Sequence, residues 1–168
     1  FGIPAEEVEG RLAQALSDVG IADLRDREIA TLSGGQKQKV ALAALLALRP
    51  QAVLLDEPTA ELDPRSSVQV FDLLRNLNQQ GVTVVVIEQK VMLLAEYAQR
   101  LVVMDRGRIA LSGSVDETFS QVDRMVELGV NCPRVALLTS ELNKRGIGAG
   151  PVARTVADAE RYVEEALA

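Results

Sequence analysis

The segment spanning residues 31–64, TLSGGQKQKVALAALLALRPQAVLLDEPTAELDP, contains two groups of residues that could act on phosphates. In the first group, Ser33 and Gln36 have the spacing of a capping box at a helix start. Gly34 and Gly35 between them would leave backbone N–H groups open to a ligand, although glycine costs roughly 1 kcal/mol relative to alanine inside a helix. The helix dipole favours an anion there, most naturally a phosphate. Taken alone, the same residues also fit a helix that needs only a cap.

The second group follows an apolar run that begins at Ala52 and ends in Asp56 and Glu57. A buried parallel strand would place both carboxylates at its carboxyl end, where ligands bind in open α/β sheets. Asp56 could hold Mg²⁺ against phosphates, and Glu57 could orient or deprotonate an attacking water. Asp63, further along, has the position of an N-cap for the next helix.

Composition limits the chemistry and the partners. The net charge of −6 and the 3% aromatic content argue against a nucleic-acid partner. The longest apolar run, residues 40–48, is much shorter than the about 20 residues of a membrane-spanning helix. There is no histidine, so acid–base chemistry would need carboxylates, lysine, tyrosine or water. The single Cys132 excludes a disulfide framework, and the acidic first residues show no signal peptide, which favours a reducing, cytoplasmic setting.

Helices and strands alternate around these residues. Apolar spacing, caps and glycine or proline stops predict helices over 4–19, 33–48, 64–80 and 91–99, and strands over 52–55, 82–87, 101–104 and 109–112. The order β-α-β-α-β-β through the middle of the chain is typical of doubly wound α/β proteins. The tail predicts helices over 116–128, 133–144 and 156–168, the last with a capping box and preceded by a linker over 146–151.

These motifs resemble those of the ATPase subunits of ABC transporters. Residues 32–36 match the LSGGQ signature, residues 52–57 look like the Walker B strand with its catalytic glutamate, and residues 60–63 look like the D-loop. The segment TVVVIEQK looks like the strand that leads to the family's switch position, which is Gln89 here. The resemblance runs from about residue 5 to residue 118.

A narrower resemblance links the chain to one subgroup. The Ile87–Lys90 context and the tail ELGVNCPRVALLTSELNKRGIG resemble the ATPase subunits of energy-coupling-factor importers for vitamins and cobalt or nickel ions. No G-x-x-x-x-G-K-[ST] phosphate loop and no glutamine loop is found in the sequence. The resemblance therefore implies the C-terminal part of an ATPase subunit, inactive alone. Its missing strands would leave a buried strand edge or an apolar face exposed, which we expect self-association to cover.

The resemblance implies an α/β fold, a partial P-loop NTPase (RecA-like) core of the ABC type. Residues 1–48 would be the remainder of the helical, signature-bearing subdomain. Residues 49–112 would be the C-terminal part of the ATPase core, and residues 113–168 a C-terminal helical extension.

It also implies roles for the residues identified above. In this family two ATPase subunits pair head to tail with two ATP molecules between them, and their closure at the cytoplasmic face of the membrane drives a transmembrane partner. Four residues would contact the γ-phosphate of the ATP held by the partner: Ser33, Gly34, Gly35 and Gln36. Asp56 would hold Mg²⁺ and Glu57 would be catalytic. Asp63 would lie on the dimer axis.

One position departs from the family. Most members have a histidine where this chain has Gln89, and a glutamine side chain can form hydrogen bonds but cannot carry a proton. Gln89 is then either a working substitute in a slower site or part of a degenerate site in an asymmetric heterodimer. Two other hypotheses are an SMC-like or DNA-repair ATPase, which the lack of coiled-coil heptads disfavours, and a regulatory or dimerisation module in the tail.

Overall fold

The computed structural model describes residues 3–167, which form two compact units divided between Glu88 and Gln89. The first unit contains three helices and two strands: α1 (Ala5–Asp18), α2 (Gly34–Ala47), β1 (Ala52–Asp56), α3 (Pro64–Gln79) and β2 (Thr83–Ile87). Two short 3₁₀ turns, Ala22–Leu24 and Ile29–Thr31, lie between α1 and α2. All five elements lie within one or two residues of the positions that the sequence predicts.

The strands β1 and β2 pair in parallel, in a register that runs from Ala52 opposite Thr83 to Asp56 opposite Ile87. Their side chains alternate between two faces. On one face Val53 is buried, and Leu55, Val84 and Val86 pack on the core cluster of the unit.

The other face of this sheet is apolar and exposed. Leu54 is 71% exposed, Val85 50% and Ile87 55%. The sequence of β2 is apolar on both faces, which predicts a central strand, yet among the described residues β2 pairs with β1 alone. The expectation that an apolar face is left uncovered therefore agrees with the structure. Its coverage by self-association stays a prediction.

The core of the first unit is formed by the three helices. Leu16 of α1, Leu42 and Leu46 of α2, and Val70 and Leu74 of α3 are all buried in one cluster. These residues recur at helical spacing, so each helix turns one apolar face toward the others. The inner face of the sheet packs on this cluster, and this packing fixes where β1 ends relative to the start of α2.

The second unit begins with α4 (Val91–Tyr97) and a β-hairpin, followed by four helices. The hairpin strands are β3 (Arg100–Asp105) and β4 (Arg108–Ser114), and the helices are α5 (Val115–Phe119), α6 (Val122–Glu127), α7 (Arg134–Lys144) and α8 (Val156–Leu167). The two-residue turn of the hairpin, Arg106 and Gly107, has φ values of 48° and 75°, as hairpin turns require. Within residues 3–167 the strands thus form two two-stranded sheets, not one continuous sheet.

The single helix predicted over 116–128 is wrong, because the structure has two helices, α5 and α6, with a break at Ser120 and Gln121. Both side chains at the break donate to the backbone carbonyl of Glu117, Ser120 Oγ at 2.8 Å and Gln121 Nε2 at 3.2 Å. Such side-chain bonds compete with the helical pattern. Apolar spacing could not reveal the break, since residues on both sides of it are buried in one cluster.

The linker over 146–151 is more than a spacer. The Tyr162 hydroxyl donates to Asn143 Oδ1 at 2.6 Å, and Asn143 Nδ2 donates to the carbonyl of Gly150 at 2.9 Å. A Cβ atom at Gly148 would collide with the Tyr162 hydroxyl. The glycines therefore let the linker approach α8 closely.

No helix within residues 3–167 is long and apolar enough to span a bilayer.

Candidate phosphate and hydrolysis site

The start of α2 forms the predicted capping box. Ser33 Oγ accepts from the Gln36 N–H at 3.3 Å, and the Ser33 N–H donates to Gln36 Oε1 at 2.9 Å. The first turn of this 14-residue helix has no acidic residue. Its cap is therefore neutral, and the positive end of the helix dipole is not offset by a carboxylate of its own turn.

Both glycines at the start of α2 are in contact with the segment at 61–62. A Cβ atom at Gly34 would lie 3.1 Å from Glu61 Oε2. A Cβ atom at Gly35 would lie 3.1 Å from the Glu61 backbone oxygen and 3.2 Å from Leu62 Cδ2. The glycines are thus explained partly by close packing within the chain, a reason that the sequence did not predict.

Glu57, immediately after β1, has an unusual backbone conformation. Its φ is 45°, in the left-handed region that few residues other than glycine adopt. Its N–H donates to the Ile87 carbonyl at 2.9 Å, and its own carbonyl accepts from Gln38 Nε2 at 3.2 Å. Non-glycine residues in this region are concentrated at functional sites. Asp56, the last residue of β1, lies exposed at the carboxyl end of the strand, as predicted.

The loop after Glu57 is tied to the end of β2. The side chain of Thr59 is fully buried, and its hydroxyl donates to Glu88 Oε2 at 2.6 Å. Sequence reasoning missed Thr59, Glu88 and Gln38 as parts of the site. Only Gln38 could have been identified from the sequence. It stands four residues after Gly34, and this spacing places it on the same face of α2.

Asp63 is the N-cap of α3, as its position in the sequence allows. Its carboxylate accepts from the Ser66 N–H at 3.0 Å and from the Ser66 hydroxyl at 2.8 Å, and Pro64 follows at the first helical position. These hydrogen bonds, that of the Ser66 backbone first, lower the pKa of Asp63 below its ordinary value. A place for Asp63 on a dimer axis stays a prediction.

Two residues of the second unit bear on the candidate chemistry. Gln89, the first residue of that unit, is exposed, and its proposed role toward a phosphate stays a prediction. Cys132 is a core residue, and its burial raises the pKa of the thiol, which disfavours the reactive thiolate.

The donor set fits Mg²⁺ and a nucleotide as parts of a shared site. Residues 3–167 contain no cluster of three or more side chains that could enclose a metal ion. Mg²⁺ needs no such cage, since it keeps several waters and binds one or two carboxylates together with substrate phosphates. Asp56 can supply one of these carboxylates. The neutral, glycine-lined start of α2 fits a phosphate.

The fold that holds the start of α2, the acidic end of β1 and the loop after it is part of an ATP-binding cassette of the P-loop NTPase type. The ABC transporter family matches residues 5–60. Among solved structures, cbiO1 from Clostridium perfringens, described as part of the ABC transporter complex cbiONQ, has a TM-score of 0.64 and 31% identity, over 83% of this chain and 56% of that chain. A dimeric bacterial ABC transporter cassette, MJ0796, has a TM-score of 0.60 and 30% identity, over 68% of this chain and 50% of that chain.

The chain belongs to the family of ABC transporter ATP-binding subunits. It is 41% identical over 164 residues to the energy-coupling factor transporter ATP-binding protein EcfA1 of Symbiobacterium thermophilum, which covers 97% of this chain and 56% of that protein. The resemblance to energy-coupling-factor subunits is thereby confirmed. The chain spans about half the length of the curated relatives that it matches.

Proposed function

We propose that this chain carries the signature, Walker B and D-loop parts of an ATP-hydrolysing subunit in an ABC-type importer of the energy-coupling-factor kind. One observation supports this most directly. In a single compact unit, the neutral glycine start of α2 is joined to the strained Glu57 at the end of β1 by a hydrogen bond from Gln38. The relatives named as energy-coupling factor transporter ATP-binding proteins support the energy-coupling-factor kind. Import, with a vitamin, cobalt or nickel as the solute, is part of the proposal and rests on the resemblance of the sequence.

The start of α2 acts on a nucleotide held by a second subunit. Ser33, Gly34, Gly35 and Gln36 contact its γ-phosphate, which the helix dipole and the open backbone N–H groups stabilise. The head-to-tail pairing that this requires is in keeping with the dimeric cassette among the similar structures. Asp63 lies on the dimer axis and links the two sites.

The end of β1 acts on the nucleotide of its own subunit. Asp56 holds Mg²⁺, which neutralises charge on the phosphates when it is bound. Glu57 orients the attacking water and accepts its proton, and Gln89 donates a hydrogen bond to the γ-phosphate. Because Gln89 cannot take up a proton whereas Glu57 is retained, we favour a slow site over an inactive one.

The assembly acts at the cytoplasmic face of the membrane, where closure of the ATPase dimer drives a transmembrane subunit. Three parts of the chain serve this cycle: the signature subdomain over 1–48, the ATPase core over 49–112 and the helical extension over 113–168. The chain alone, without a phosphate loop in its sequence, is inactive in hydrolysis.

The test compares this chain with a chimera that joins it to the part of S. thermophilum EcfA1 preceding the matched region. By calorimetry we expect no Mg-ATP binding to the chain alone and micromolar binding to the chimera. In the chimera, Glu57→Gln should lower kcat by about 10²-fold or more, as loss of a general base does. Glu96→Gln, on an exposed position of α4, is the matched control and should leave kcat unchanged.

Two results would contradict the proposal. Micromolar binding of Mg-ATP to the chain alone, at its intact mass, would show that it holds phosphates without a phosphate loop. Unchanged hydrolysis in the chimera with Glu57→Gln would remove Glu57 from the reaction.

A further inference from the structure

We propose that Gln38 is a positioning residue for Glu57, so that the helix beginning with the signature also sets the backbone of the hydrolytic glutamate in the same chain. This inference rests on the proposed role of Glu57. It adds Gln38, which lies outside the signature and touches neither phosphate nor metal in that proposal.

The contact joins two segments that are far apart in sequence. Gln38 lies on α2, one turn after Gly34, and its side chain is partly buried. Its Nε2 donates to the backbone carbonyl of Glu57 at 3.2 Å. An amide side chain has two N–H donors, whereas an apolar side chain of the same length has none, so the contact depends on the residue type.

Glu57 needs such a contact because its backbone is strained. With φ at 45°, it persists only if its surroundings hold it there. Gln38 binds its carbonyl, and the Ile87 carbonyl accepts from its N–H at 2.9 Å, so the residue is held on both sides. Two residues later, Thr59 is fixed to Glu88 at 2.6 Å, which limits movement of the loop that follows.

The arrangement connects the two nucleotide sites through one rigid helix. The start of α2 faces the nucleotide of the partner subunit, and Gln38, one turn further, holds the residue that serves the other nucleotide. A shift of α2 when the signature engages a phosphate would therefore reach the Glu57 backbone directly. Small displacements of a catalytic group have large effects on rate, so this contact can set turnover without affecting ATP affinity.

The first experiment needs no nucleotide and uses this chain, isotopically labelled, for NMR. In the unsubstituted chain we expect nuclear Overhauser contacts from the Gln38 side-chain amide protons to Glu57. In Gln38→Met we expect the HN–Hα coupling of Glu57, which reports φ, and its carbonyl ¹³C shift to change. Gln69→Met, on an exposed position of α3, is the control and should leave both unchanged.

The second experiment measures hydrolysis by the chimera. Gln38→Met should lower kcat by about 10-fold to 100-fold with the KM for ATP unchanged, because Gln38 acts through Glu57 and not on the nucleotide. A residue needed only for folding would lower the amount of active protein, which active-site titration measures, and would leave kcat per site unchanged.

Three results would overturn the inference: no contact between Gln38 and Glu57 in the unsubstituted chain, an unchanged Glu57 coupling in Gln38→Met, or an unchanged kcat despite a changed coupling. The first result is measured in the unsubstituted chain. The inference can therefore be refuted even if a variant fails to fold. Failure of the proposed function gives a different result, in which Glu57→Gln leaves hydrolysis intact while the NMR contact persists.

Discussion

Two helices of this molecule, α2 in the first unit and α5 in the second, start with the same cap. In each, a serine hydroxyl accepts from the N–H three residues later, at 3.3 Å for Ser33 and 3.2 Å for Ser114. In each, the side chain of that later residue accepts from the serine N–H, at 2.9 Å for Gln36 and 2.8 Å for Glu117. The two capping boxes are equivalent as structure.

The residues inside the two boxes differ completely. Helix α5 begins with Val115, which is buried, and then carries two acids, Asp116 and Glu117, in its first turn. Helix α2 begins with two glycines, has a neutral Gln36 and has no acid in its first turn. The start of α5 is thus filled by its own core side chain and its own anions, whereas the start of α2 has no side chain or acid of its own and meets Glu61 from the loop after β1.

The comparison separates what a cap needs from what a ligand needs. A serine with a glutamine or glutamate three residues later suffices for capping, as α5 demonstrates. Two glycines and a neutral third residue are unnecessary for that purpose. They fit the external anion that we propose, and the two glycines also permit the close packing on residues 61–62.

Substitutions at the first helical position of α5 and of α2 should differ most in their effect on the free energy of unfolding. Val115→Ala should lower the free energy of unfolding by about 2 kcal/mol, because it removes buried methyl groups and leaves a cavity. Gly34→Ala should leave it unchanged or raise it by up to about 1 kcal/mol, since alanine favours the helix and the nearest atom, Glu61 Oε2, belongs to a flexible side chain. Urea unfolding followed by circular dichroism measures both.

Val126→Ala, on an exposed position of α6, controls for the loss of valine as such and should cost little. Equal destabilisation by Val115→Ala and Gly34→Ala would remove this difference between the two helix starts. It would mean that Gly34 is required by packing within the chain and not by a ligand.

The two serine caps, by contrast, should contribute equally to stability. Ser33→Ala and Ser114→Ala should each lower the free energy of unfolding by about 1 kcal/mol, because each leaves a helix N–H without its cap. Only Ser33→Ala should also weaken ATP hydrolysis by the chimera. If Ser114→Ala weakened hydrolysis to the same degree, the effect of Ser33→Ala would be one of stability alone.

Much of the site could be predicted from local sequence. The cap of α2, the strand ending in Asp56 and the N-cap at Asp63 all follow from residues that are neighbours in the chain, and the structure has all three. The contacts of Gln38 with Glu57 and of Thr59 with Glu88 could not be predicted. They join residues that only the packing of α2, β1 and β2 brings together.

The same distinction holds for the fold. The short hairpin of β3 and β4 was predictable because Gly107 marks its turn. The break between α5 and α6 was not, because the apolar spacing of Val115, Phe119, Val122 and Met125 continues through it. At the break two side chains donate to the carbonyl of Glu117, and apolar periodicity carries no information about such bonds.

The smallest difference that we expect is in how the two helix starts respond to acidic pH. Hydrogen bonds from Ser114, its backbone N–H first, lower the pKa of Glu117 below the ordinary 4.5. The contribution of a group with a lowered pKa is fully present above its ordinary value and is lost as the pH falls through the lowered one. The Ser114 amide signal should therefore titrate at acidic pH, whereas the Ser33 amide, held by the non-ionising Gln36, should not, as an NMR pH titration will show.

Exchanging the residues at the third helical position of α2 and α5 should exchange the pH response of the serine amides. Glu117→Gln should abolish the titration of the Ser114 amide, and Gln36→Glu should create one at Ser33. Gln36→Glu should keep the cap and the fold while placing a carboxylate where the phosphate is proposed to bind, so hydrolysis by the chimera should fall at neutral pH. Unchanged hydrolysis at neutral pH would mean that the start of α2, like that of α5, serves the helix alone.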